Sequence, residues 1–246
     1  MPVLESTPAS VIGPRTRFFR FMAALLLLLI FVGFARTFYL RSYFQADSLA
    51  SHLHLHGAVL TLWFVLLFTQ TLLVGRGQIQ RHRQLGIAGI VVAAAAVLTG
   101  LQANTGLLHA LRADGDFGPS SPEVIIILGN YLTLVAFALL VGAAVLSRRH
   151  PQTHKRLMLL AGVAIIGPAL GRIPRFSFLH AGPTAPRDYA IGGMLILIAA
   201  LIAFDLRSLR RIHPASYIGG LGILFALAAA VALAFAGPGF AMLRAL

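Results

Sequence analysis

The sequence predicts an all-α polytopic membrane protein with seven transmembrane helices, and three observations carry that expectation. Of the 246 residues, 58% are hydrophobic and only 11% charged, whereas a soluble domain averages about 25% charged residues to cover its surface. Seven long apolar stretches follow one another along the chain, and a bilayer core of about 30 Å takes roughly 20 helical residues to cross. Uninterrupted runs such as Leu25-Leu26-Leu27-Leu28-Leu29-Ile30 exclude a transmembrane barrel, whose strands alternate in polarity over about ten residues.

Residues 1–14 hold three prolines and no apolar periodicity, so a disordered cytoplasmic tail is expected ahead of a single seven-helix domain at 15–246. The first span, Phe18 to Leu40, follows three arginines and reads as an uncleaved signal anchor. The second runs from His52 to Val74, and the third, Leu85 to Leu108, has no formal charge between Arg83 and Arg112. Gly86, Gly89, Ala93 and Ala96 on that span would let helix backbones approach closely. The fourth span is Glu123 to Leu146. The fifth, His154 to Arg172, contains Gly167-Pro168, and a proline without a backbone donor should kink it beside an outer-half cavity. Tyr189 to Leu206 and Ser216 to Ala236 complete the set, the last with a Gly219, Gly220, Gly222 packing face.

Lysine and arginine set the expected direction of these spans. Thirteen of the 20 basic residues fall on one side: Arg15, Arg17 and Arg20, then the turns carrying Arg76 to Arg83, Arg148 to Arg156, and Arg207 to Arg211. The other side holds seven arginines offset by acids such as Asp47, Asp114 and Asp116. The N-terminus is therefore expected in the cytoplasm and the C-terminus outside, as one helix followed by three hairpins in a bacterial inner membrane. The basic turns would touch anionic lipid.

The net charge of +13 does not point to nucleic acid, because the arginines sit in short turns rather than on one basic face. With no cysteine, thiolate metal sites and c-type haem attachment are excluded. The sequence also lacks a Gly-x-Ser-x-Gly elbow, a phosphate loop and a His-Glu-x-x-His motif.

Chemistry is concentrated in nine histidines near the two membrane faces. At the outer face, His52 and His56 are spaced to share one side of a helix and could bind a metal, while His54 points elsewhere. His56 could instead ligate haem with His109 or His180, and Arg36 and Arg172 could meet haem propionates, a quinone carbonyl or an anionic lipid. Interfacial solvation of these histidines and snorkelling of these arginines are the bland alternatives. At the inner face, Gln70, His82, His154 and Asp205 are the candidates. His82 and His154 each open a span and could face one another; Asp205 would pair with Arg207, Arg210 or Arg83. Trp63 is expected to pack in the core.

His54-x-His56-Gly57, Trp63, Gln70 and His82-Arg83-x-Leu85-Gly86 together resemble a pattern of uncharacterised bacterial multi-span inner-membrane proteins. His154-Lys155-Arg156-Leu157-Met158 resembles an element of small membrane proteins linked to haem-copper oxidase maturation. The arrangement is distantly similar to cytochrome b561-type proteins, in which histidines near both faces hold two haems. The resemblance implies a b-type haem or quinone-linked redox protein. A cofactor-free accessory subunit with partner membrane subunits, or a small-solute or metal transporter, are the other readings left open.

Overall fold

The computed structural model describes residues 14–44, 48–113, 118, 123–175, 182 and 185–246. These form ten α-helices, one π-turn and one 3-10 turn, with no strand among the described residues. The long helices are α1 (Pro14–Phe34), α3 (Ser51–Gly75), α4 (Ile79–Ala113), α5 (Glu123–Leu146), α8 (Ala185–Leu209) and α9 (Pro214–Phe235). Six segments are long and apolar enough to cross a membrane, counting α1 together with the π-turn Ala35–Tyr39 that continues it. Exposed Ile87, Val91, Leu98, Leu139, Ile196 and Phe225 on the bundle exterior fit lipid as the surrounding solvent.

The fifth expected span is not one helix. It divides into α6 (Pro151–Ala164), a break at Ile165 and Ile166, the single turn α7 (Gly167–Leu170) and the 3-10 turn Ile173–Arg175. The cause is Pro168, which has no N–H to donate back to Ala164, so the helical ladder fails one turn upstream of the proline. The 14 residues of α6 span only about 21 Å. A second difference concerns the first inner turn. Arg81, His82 and Arg83 lie inside α4 rather than in a loop, because that helix begins at Ile79.

Helix α6 is the centre of the bundle. It touches α1, α3, α5, α8 and α9, and Leu157 and all residues from Leu159 to Ala164 are buried. Small residues permit this crowding: a Cβ at Gly162 would come within 3.0 Å of Leu26 and 3.1 Å of Leu67. On the facing surface of α9, a Cβ at Gly219 would lie 2.7 Å from Leu160. Farther along, Gly33 of α1 lies directly against the backbone of Ala169 in α7, where no larger residue fits.

Short turns join α3 to α4, α5 to α6 and α8 to α9, and each pair touches. Pro151 and Pro214 stand in the first turns of α6 and α9, where a missing N–H costs nothing. These turns and the start of α1 lie at one end of the bundle, called the basic end below; Phe18 stacks on Phe204 there at 4.0 Å between ring centroids. At the far end, α10 (Pro238–Ala245) was not foreseen. It folds back after Gly237, which has φ +86°, and Arg112 of α4 donates to the Leu243 carbonyl.

The basic end contains a fully buried ion pair. Arg156 of α6 and Asp205 of α8 are 1% and 0% exposed, and Arg156 Nε and Nη2 approach Asp205 Oδ1 at 3.0 and 2.5 Å. Asp205 Oδ2 also accepts from Ser216 Oγ at 2.6 Å and from the His213 backbone N–H at 3.1 Å. Arg156 Nη1 donates to the Gln152 carbonyl at 2.8 Å and to its Oε1 at 2.9 Å. The partner of Asp205 is thus Arg156, and not Arg207, Arg210 or Arg83. Arg156 appears as a turn charge in sequence, but helix α6 carries it into the core.

Removing one member of a buried pair strands the other, at a cost of about 3–5 kcal/mol. Asp205→Ala should therefore lower the thermal midpoint in detergent markedly. The double change Arg156→Met with Asp205→Leu should recover most of the loss, because no buried charge is then left over.

Candidate cofactor site at the basic end

His82 is in the first turn of α4 and His154 in the first turn of α6. Their ring centroids lie 6.2 Å apart with planes at 82°. Each ring is anchored through Nδ1. His154 Nδ1 is 2.8 Å from the Ala144 carbonyl oxygen on α5. A carbonyl only accepts, so Nδ1 carries the proton and Nε2 of the neutral ring keeps its lone pair. His82 Nδ1 is 2.6 Å from Gln70 Oε1 on α3, which imposes the same tautomer. Four helices therefore converge on the pair. Gly86, one turn beyond His82, lies beside the Gln70 amide: a Cβ there would stand in ordinary contact, 3.8 Å from Gln70 Nε2.

The opposite tautomer occurs at His213, which borders the Asp205 network. Its Nδ1 accepts from the Ala215 N–H at 3.2 Å and caps α9. Partial burial, reinforced by the Arg156 guanidinium, holds this imidazole below its ordinary value of 6.5, and Asp205 only partly opposes them.

At the far end, α3 is helical from Ser51, so His52 and His56 share the face turned to α4 while His54 is exposed. His56 Nδ1 is 3.2 Å from Thr99 Oγ1, whose own proton goes to the Ala95 carbonyl at 2.8 Å. His56 must therefore donate from Nδ1, again leaving Nε2 as the open nitrogen. Its ring packs beside Gly100, and His52 Nε2 would be 3.2 Å from a Cβ at Gly106. Arg172 lies within electrostatic range of His56, stacks over Phe34 at 4.5 Å and donates to the Pro168 carbonyl at 2.7 Å.

Backbone irregularity is concentrated at this end. In the π-turn, the Leu40 N–H reaches back to the Ala35 carbonyl at 2.7 Å. That turn carries Arg36, which stacks over Phe44 at 5.0 Å, and Phe38, which covers Gly57. Tyr39 donates to Thr61 Oγ1 at 2.6 Å, since the Thr61 proton is committed to the Gly57 carbonyl. Between α4 and α5, Asn130 Nδ2 donates to Asn104 Oδ1 at 3.0 Å and Asn104 Nδ2 to the Ile127 carbonyl at 3.1 Å.

The structure thus brings His82 to His154, and His52 and His56 to one face. It does not bring His109 to His56. His109 is exposed on α4, ten positions beyond Thr99 and so about 15 Å farther along the helix. His180 lies outside the described residues. Among the described residues, no group of three or more metal-ligating side chains gathers. Trp63 is buried against Phe137, 5.0 Å between centroids. Neither Thr99 as the partner of His56 nor the π-turn after α1 is signalled by any motif in the sequence. No family model, curated protein or solved structure matches the chain.

The His213 cap makes stability depend on pH. A depressed folded-state value means that the unfolded chain binds more protons, so the contribution is complete above about pH 6.5 and is lost as pH falls through the folded value. Acidification from about pH 7.5 to about pH 5.5 should lower the thermal midpoint in detergent. In His213→Asn, which keeps a capping acceptor that does not titrate, this part of the drop should vanish.

Proposed function

We propose that the chain is an integral membrane redox protein, linked to b-type haem or quinone, with its cofactor-bearing histidine pair at the cytoplasmic end. The supporting observation is the His82–His154 pair at 6.2 Å with both Nδ1 atoms engaged by oxygen acceptors. This is the arrangement by which proteins orient histidine ligands and raise the basicity of Nε2. Both rings would hold one haem iron through Nε2, and metal–nitrogen bonds of about 2 Å each call for rings this close together.

In this reading the topology has seven crossings, with α6 and α7 together making the fifth and the basic end in the cytoplasm. Thirteen of the 20 basic residues support that orientation. His82 and His154 would hold the haem iron through Nε2, while Gln70 and the Ala144 carbonyl hold the rings. A haem iron at this point would supply one-electron chemistry. Among the described far-end residues, His52 and His56 stand one turn apart on a single helix and would not hold a second haem between facing helices. His56 Nε2 as acceptor suits the hydroxyl of a quinol headgroup there instead, with the Arg172 cation available to a quinone carbonyl.

A reduced-minus-oxidised visible spectrum of protein purified from its native membrane tests the reading. The expected result is a b-type α-band, lost in His82→Ala and in His154→Ala and retained in His109→Ala. A flat spectrum from intact native-source protein contradicts haem binding.

A further inference from the structure

We propose that Gln70 is the positioning residue that fixes His82 in the tautomer presenting Nε2. The two anchors of the histidine pair are chemically unequal. His154 is held by the backbone carbonyl of Ala144, which no substitution at that position removes. His82 is held by a side chain, Gln70 Oε1, at 2.6 Å, and so depends on one replaceable residue 12 positions earlier in the chain.

Local geometry makes the amide the deciding group. Gln70 and His82 lie on either side of the α3–α4 turn, close to the end of α3 and the start of α4. Gly86 shares a face with His82, one turn on, so the amide meets no side chain from that position. Neutral imidazole in water prefers to carry its proton on Nε2, the nitrogen a metal or proton donor would need free. Gln70 Oε1 reverses that preference by accepting from Nδ1. The spacing of Gln70 and His82 in the sequence thereby acquires a physical reason: an acceptor and the ring it orients.

The relevance of this positioning to electron transfer rests on the redox reading above; the tautomer itself does not. Histidine nitrogen NMR on cofactor-free protein, at a pH where the ring is neutral, should show His82 protonated on Nδ1. In Gln70→Leu the His82 signal should move to the Nε2-protonated form, while Gln70→Glu keeps the Nδ1 proton and His154 stays unchanged in both. A His82 signal that remains Nδ1-protonated in Gln70→Leu, or is Nε2-protonated in the wild type, overturns the proposal. In haem-bearing protein, a stronger acceptor on Nδ1 makes the ligand more basic, so Gln70→Glu should lower the midpoint potential and Gln70→Leu raise it. An intact α-band with unmoved potentials also overturns the proposal. Absence of an α-band in every form sinks the redox reading instead and leaves the NMR result to decide the role of Gln70. If Gln70→Leu does not fold, the wild-type tautomer of His82 and, in haem-bearing protein, a lowered midpoint potential in Gln70→Glu still decide.

Discussion

The buried ion pair between Arg156 and Asp205 is the constraint around which the basic end is built. A guanidinium and a carboxylate at 1% and 0% exposure persist in such surroundings only if almost every donor and lone pair is used. Here they are used, by Gln152, Ser216 and the His213 N–H. These contacts fix α6 in rotation and depth against α8 and α9. Two residues apart on a helix means about 200° around its axis, so while Arg156 faces α8, His154 is turned to nearly the opposite side, toward α4 and α5. The position of the histidine pair follows from the position of the ion pair.

The central place of α6 depends equally on small residues. A short helix touched by five others is approached closely at Gly162 and by Gly219 of α9, while Gly33 of α1 makes the contact at α7. The break after Ala164 gives the far end its character. There the chain no longer runs as an ideal helix in either the continuation of α1 or the α6–α7 segment, and α7 packs on α1 and α8. Irregular backbone at membrane depth is tolerated where protein covers it, and here α1, α8 and their side chains provide that cover. The result is one regular end that holds a pair of rings and one irregular end with a hydrogen-bonded polar network.

The parts of the fold legible in sequence were those fixed by local composition. Continuous apolar runs located the six long spans to within a few residues at most ends, while α6 and α9 begin at Pro151 and Pro214, three and two residues before the expected His154 and Ser216. The Gly167-Pro168 pair signalled a fault in the fifth span, but as a kink at the proline; the break falls upstream because the missing N–H orphans the carbonyl of Ala164. The partnership of Arg156 with Asp205 was hidden, as the two are 49 positions apart and Arg156 stands among solvent-facing arginines. Depth along a helix decided the outer histidines: His56 meets Thr99, whereas His109 continues past the packed region of α4 to an exposed position. Spacing alone carries no such depth.

The central claim is that α4 and α6 hold His82 and His154 side by side. Because the chain has no cysteine, this can be measured without background by combining His82→Cys with His154→Cys and applying a short thiol cross-linker in native membranes. The account predicts rapid cross-linking of that pair and none for His82→Cys with His109→Cys, which lie about 40 Å apart along one helix. Failure of the first pair to cross-link faster than the second, in protein inserted at normal levels, would contradict it.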